Sequence, residues 1–239
     1  MNWQKTLIWV TVYSIAMAFL ETAVVVYLRE IYYPYGFQFP LVPIDRHIAI
    51  TEVGREAATL VMMLAVGFLA GKTGIQRFAY FILVFGIWDI FYYVFLKLIL
   101  GWPESLLTWD ILFLIPTTWV GPVIAPVIIS ILMILLGWFI IRRTERGYPL
   151  QIPVLAWVLL IVGSVTVVLA FTWDFTAYLK ENNSFHSFWS IPDKSALYES
   201  VYEYIPRKFN WFLFVLSLAN ICAGIGVIFN KSWKAEIAE

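Results

Sequence analysis

Cysteine, histidine and charge are all scarce in this sequence. Cys222 is the only cysteine, which excludes an internal disulfide, a cysteine-ligated zinc site and a cysteine-ligated iron–sulfur cluster. His47 and His186 are the only histidines, and both lie outside the long apolar segments. Their number and position argue against haem with two axial histidines, a three-histidine zinc site and an intramembrane serine–histidine protease. Formal net charge is zero and no basic stripe is present, so no nucleic-acid partner is expected.

Apolar residues are abundant instead, at 62% of the chain, with a mean hydropathy of +0.81. Soluble domains are about 45–50% apolar, and a water-soluble chain of this length could not bury so much apolar surface. A membrane-spanning helix needs roughly 20 apolar residues. Six segments meet this requirement: 6–28, 48–70, 78–100, 119–141, 152–171 and 211–229. We therefore predict an all-α helix bundle, a multi-pass integral membrane protein that forms one domain over residues 1–239 and has the lipid bilayer as its partner.

Two connections between these spans carry patterns of their own. The segment 106–116 is apolar but short, and the prolines around it would interrupt a continuous helix, so we predict an interfacial or re-entrant piece. In the long connection 172–210, apolar residues recur at helical spacing opposite acidic ones, which predicts an amphipathic helix on the membrane surface. Its apolar face comprises Leu197, Val201, Tyr204 and Ile205, and its acidic face Glu199 and Glu203.

The distribution of lysine and arginine predicts the orientation in the membrane. Cytoplasmic loops of membrane proteins are enriched in these two residue types. With the N-terminus inside, the short inner segments hold eight of them, including Arg142, Arg143 and Arg146, whereas the longer outer segments hold six. We therefore expect both termini in the cytoplasm.

Ionisable residues inside the first three predicted spans form the most informative pattern. Such residues are costly in a bilayer and usually mark functional sites. Each of these spans carries one polar face, with Glu21 on the first, Glu52, Arg55 and Glu56 on the second, and Asp89, Tyr93 and Lys97 on the third. If the three faces turn inward together, they line one acid-rich cavity in the outer half of the bilayer, to which Asp110 adds a further carboxylate.

This cavity would contain more acidic than basic groups, with four acids in the first three spans against Arg55 and Lys97. Unpaired carboxylates in a low-dielectric site take up a proton or bind a cation. The leading hypothesis is therefore a protein that binds or transports a small cation, a proton, or an amphiphile with a charged head.

Two alternatives remain open on the sequence. One is a membrane-embedded enzyme that acts on a lipid or isoprenoid, with the carboxylates as acid and base or as ligands of a divalent metal. The metal version would use Glu21, His47, Glu52, Glu56 and Asp89. The other is an accessory subunit of a larger membrane complex, or a homo-oligomer, in which the charged faces only fix helix packing. Two pairs of small residues, Gly67/Gly71 and Ala219/Ala223, predict close helix contacts within the chain or in such an oligomer.

Overall fold

The computed structural model describes residues 2–148, 150–182 and 202–237, the last six of these as backbone alone. Within these residues the chain forms six long helices and one β-hairpin. In chain order the elements are α1 (Trp3–Tyr32), α2 (Arg46–Ala70), α3 (Gly74–Leu100), β1 (Trp109–Phe113), β2 (Trp119–Pro122), α4 (Ile124–Glu145), α5 (Val154–Glu181) and α6 (Trp211–Ile237). All six helices are long and apolar enough to cross a membrane. The predicted all-α, multi-pass bundle is therefore confirmed.

Successive helices run in alternate directions, so the bundle has two distinct ends. We call the end with the N-terminus the terminal end; it also holds the α2–α3 turn. There the Lys72 ammonium pairs with the Glu145 carboxylate at 3.1 Å, and the Gln76 amide donates to the same carboxylate at 3.0 Å. We call the opposite end the hairpin end, because β1 and β2 lie on that side. The candidate functional residues lie in this half of the bundle.

Helix α3 is the centre of the bundle and packs against α1, α2 and α4. Helices α5 and α6 form a second unit, which joins the first through β2 and α4. Glycines allow α3 and α4 to approach closely: a Cβ on Gly86 would lie 2.6 Å from the carbonyl oxygen of Ser130, and one on Gly137 2.7 Å from that of Ala79. The predicted close contact at Gly67 and Gly71 is confirmed within the chain, because both face the backbone of Arg77.

The segment before α4 is an antiparallel β-hairpin, a feature that the hydropathy pattern does not predict. Trp109 pairs with Pro122 and Asp110 with Gly121. Because residues 119–122 belong to this ladder, α4 begins at Ile124, later than the predicted start of that span at Trp119. The ring of Phe113 lies 6.2 Å from that of Phe85 and 6.4 Å from that of Trp88, which places the hairpin tip beside the middle of α3.

Most of the predicted surface helix in the last connection falls outside the described residues, including Leu197, Glu199 and Val201. Tyr204 is buried, and its hydroxyl donates to the Asp174 carboxylate of α5 at 2.6 Å. Burial and this hydrogen bond raise the pKa of Tyr204. The contact ties the chain that precedes α6 to the hairpin end of α5.

Candidate functional site

A cavity of about 580 Å³ lies in the half of the bundle nearer the hairpin end. Its walls are α1, α2, α3 and the tip of the hairpin, and the α1–α2 connection covers it. The charged side chains that line it are Glu21, Arg29, Glu52, Arg55, Glu56, Asp89 and Asp110. The polar faces of the first three helices therefore meet around one space.

Arg55 joins α1 to α2 at one wall of this cavity. Its guanidinium forms an ion pair with Glu21 of α1 and a second with Glu52, one turn away on α2, at 2.6 Å from Nε to Oε1. The Thr59 hydroxyl donates to the other oxygen of Glu21 at 3.2 Å. One guanidinium thus serves two carboxylates, all three being partly exposed to the cavity.

Asp110 is the centre of a second charged group, where the hairpin meets α1 and α3. Its carboxylate pairs with Arg29 at 3.1 Å and accepts a hydrogen bond from the Tyr93 hydroxyl at 3.2 Å. Asp110 is 2% exposed, and this burial raises its pKa while the Arg29 guanidinium opposes the rise. The Arg29 guanidinium also lies 3.8 Å from the ring centre of Trp102 and 4.4 Å from that of Phe37. Arg29 is therefore fixed by one carboxylate and two aromatic faces.

Arg29 lies one residue beyond the predicted first span, 6–28, so the site predicted from the sequence did not include it. Its position contained a usable signal, because Glu21, Val25 and Arg29 follow each other at i, i+4 and i+8 and so share one face of α1. Extending the polar face of the first span by two turns would have included it.

Glu56 and Asp89 differ from the other carboxylates in their partners. Glu56 accepts a hydrogen bond from the backbone N–H of Leu114 at the hairpin tip, at 2.9 Å. Asp89 accepts one from the Ser130 hydroxyl of α4, at 2.8 Å. Among the described side chains, neither has an ion pair with a lysine, arginine or histidine. The hydrogen bonds described for these two carboxylates therefore come from neutral donors.

Lys97 and His47 lie away from the cavity. The Lys97 ammonium donates to the carbonyls of Gly101 and Pro103, at 2.9 and 2.8 Å. Gly101 has a φ of 67°, which glycine adopts readily, and this turn ends α3 beneath the ammonium. His47 is exposed at the start of α2. Within the described ranges, no three histidine, cysteine or acidic side chains come together as a metal-binding group.

The formal charge of the cavity is the one that the sequence suggested, but Arg29 replaces Lys97 as one of its two cations. Lys97 is not part of it, whereas Asp110 and Arg29 are. Five carboxyl groups and two guanidinium groups line it, so the formal excess is three negative charges (five minus two). What it binds has to be argued from these residues, because the chain matches no protein-family model, no curated protein and no solved structure.

Proposed function

We propose that this protein binds a small organic cation in the membrane-embedded cavity. The observation that carries the proposal is an excess of acidic groups and an aromatic lining in the same space. Carboxylates neutralise the charge of such a ligand, and aromatic faces attract it. The aromatic side chains of the lining are Tyr32, Tyr33, Phe37, Trp88, Tyr92, Tyr93, Phe175 and Tyr202.

The size of the cavity supports an organic ligand over a bare metal ion. Sites for small molecules occupy about 300–1,000 Å³, and this cavity falls within that range. A hard metal ion instead needs several oxygen ligands at about 2.0–2.6 Å from one point. The carboxylates described above are divided among separate groups, each with its own partner.

Within the cavity, we assign the cation to Glu56 and Asp89. The Arg29 guanidinium is matched by Asp110, and the Arg55 guanidinium by Glu21 and Glu52. A ligand held at those groups would have to compete with an internal arginine. At Glu56 and Asp89 the hydrogen-bond donors are neutral, namely a backbone N–H and a hydroxyl, and the Arg55 charge near Glu56 is already paired with two other carboxylates.

The position of the hairpin tip supports the proposal that water fills the cavity. Non-helical backbone within the membrane is tolerated where protein buries it or where it lines an aqueous space. Ile115, Pro116 and Thr117 form the tip and line the cavity, where water can solvate their peptide groups. Water around the carboxylates would also lower the cost of keeping them charged before the ligand arrives.

Binding of benzyltrimethylammonium to the purified protein in lipid nanodiscs, measured by isothermal titration calorimetry, tests this proposal. We expect saturable binding that weakens at least about tenfold in the double variant Glu56→Gln/Asp89→Asn. Both replacements keep an oxygen that accepts the hydrogen bonds from Leu114 and Ser130, so the fold should be spared. Glu30→Gln is the matched control, because Glu30 is exposed on the opposite face of α1. Absence of saturable binding, or equal affinity in the double variant, would refute the proposal.

We further propose that both termini are cytoplasmic and that the hairpin end faces outward. The supporting observation is the concentration of arginines at the end of α4, with Arg142, Arg143 and Arg146 at the terminal end. Single cysteines at 104 and 146, introduced by Glu104→Cys and Arg146→Cys in a Cys222→Ala background, test this orientation. A membrane-impermeant maleimide added to intact cells should label position 104 and spare position 146. The reverse pattern would invert the assigned topology.

A further inference from the structure

We infer that the ligand is a membrane-dissolved cationic amphiphile whose apolar tail passes sideways between α2 and the hairpin into the bilayer. This inference rests on the proposed function, since it keeps the cationic head at Glu56 and Asp89. We call the opening the α2 gap and define it by Ile50 and Val53 of α2 and by Leu114, Ile115 and Pro116 of the hairpin tip.

Helix α2 is held mainly by α3, along which it packs, and only lightly by α1. In the described parts of the chain, one side-chain hydrogen bond joins α2 to the hairpin, from the Leu114 N–H to Glu56. That bond is accepted by Glu56, one of the two carboxylates to which we assign the cation. Binding of the cationic head and opening of the α2 gap therefore both involve Glu56.

The residues of the α2 gap border both the cavity and the lipid. Ile50 and Val53 line the cavity, yet they are 54% and 41% exposed. Pro116 also lines the cavity and is exposed. On a membrane-spanning helix, exposed apolar side chains face acyl chains. The cavity lining therefore includes exposed apolar side chains both on α2 and at the hairpin tip, and these would form the path of the tail.

The hairpin end of the cavity is covered more firmly than its side. The connection between α1 and α2 crosses it, and the Val42 N–H donates to the Tyr33 hydroxyl at 2.9 Å. The Tyr202 hydroxyl donates to the carbonyl of Ile44 at 3.2 Å, and the Phe37 ring packs edge-on against Trp102. A long tail that left through this end would have to displace these contacts, whereas the side-chain hydrogen bond described across the α2 gap is that from Leu114 to Glu56.

A tryptophan placed in the gap tests the inference at equilibrium. In Val53→Trp, we expect the affinity for decyltrimethylammonium to fall at least about tenfold, because the indole occupies the path of the tail. The affinity for benzyltrimethylammonium, which has no such tail, should fall by a clearly smaller factor, because Val53 also lines the cavity that holds this cation. Val61→Trp is the matched control, since Val61 is 65% exposed on the same helix and does not line the cavity. In identical nanodiscs the long ligand partitions into lipid to the same extent for every variant. This contribution therefore cancels when the affinities of the variants are compared.

The outcomes separate this inference from the proposed function. If benzyltrimethylammonium does not bind the wild-type protein, the proposed function itself fails. If it binds, but Val53→Trp weakens both ligands equally or neither, the tail does not occupy the α2 gap and the inference is overturned. Binding of the short cation also reports that the variant is folded. Should Val53→Trp not fold, Ile50→Trp places the same obstruction one turn nearer the hairpin end, with the same expected result.

Discussion

The two units of the bundle hold their helices together by different means. Around α3, charged side chains from α1, α2 and the hairpin meet in a cavity. Between α5 and α6 the interface is dry and built on small residues: Gly163 faces Ile221, and Gly224 faces Leu160. Without a hydrophobic force between helices in lipid, close packing of this kind is a common way to associate them. Helices α5 and α6 thus associate without charged groups, and the concentration of charges around α3 is the feature on which the proposed function rests.

The largest expected effect is at the ion pair between the hairpin and α1. Asp110→Asn removes the carboxylate that neutralises the buried guanidinium of Arg29, and stranding one partner of such a pair costs about 3–5 kcal/mol. Unfolding in a denaturing detergent should show that loss of free energy. Asp45→Asn is the control, because Asp45 is exposed and its side chain makes no capping hydrogen bond. A loss no greater than that of the control would mean that Arg29 has another counter-charge.

A smaller effect is expected at the dry interface. A Cβ on Gly163 would lie 2.6 Å from Cγ1 of Ile221 and 3.1 Å from the carbonyl oxygen of Ser217. Gly163→Ala should therefore force α5 and α6 apart, at a cost of about 1–3 kcal/mol in unfolding free energy. Gly226→Ala is matched to it, because nothing lies within 4 Å of the added methyl group. Equal stability of the two variants would argue that the α5–α6 contact is looser than described.

Loss of a single carboxylate beside Arg55 should lower the unfolding free energy by less than either Asp110→Asn or Gly163→Ala. In Glu21→Gln the guanidinium keeps Glu52, and in Glu52→Gln it keeps Glu21. For such partly exposed pairs we expect about 1 kcal/mol or less from each change. The double variant should cost more than the sum of the two, because Arg55 then has no carboxylate left. Strict additivity in the same unfolding measurement would show that the two acids act independently.

The helices of both units were predictable from the sequence, but the hairpin was not. A membrane span is a local property of length and apolarity, so segments such as 78–100 identify α3 directly. Pairing of Trp109 with Pro122 depends on two short segments that meet only in the folded chain. The sequence predicted the first as part of an interfacial or re-entrant piece and the second as the start of a membrane span. Strand propensity alone does not decide whether such a short apolar segment forms a strand or a helix.

For the candidate site, helix periodicity predicted which polar residues share a helix face. Spacing placed Glu52 and Glu56 on one face, and the three polar faces do border one cavity. Spacing could not tell that Lys97, on the same face as Asp89, would turn away to the carbonyls that follow α3. It also could not assign a partner to each acid, because ion pairs such as that of Arg29 with Asp110 link residues distant in sequence.

The smallest expected effect on stability is at Asp89, and it provides the sharpest contrast within the charged unit. Asp89 is buried like Asp110, at 9% exposed against 2%, but the contact described for it is a hydroxyl, that of Ser130. A buried charge without a partner is costly, so Asp89→Asn removes that cost while keeping an oxygen for the Ser130 hydroxyl. We expect the unfolding free energy to stay within about 0.5 kcal/mol of wild type or to rise. A loss near that of Asp110→Asn would mean that Asp89 serves an internal cation, and the cation-binding role assigned to it would then pass to Glu56 alone.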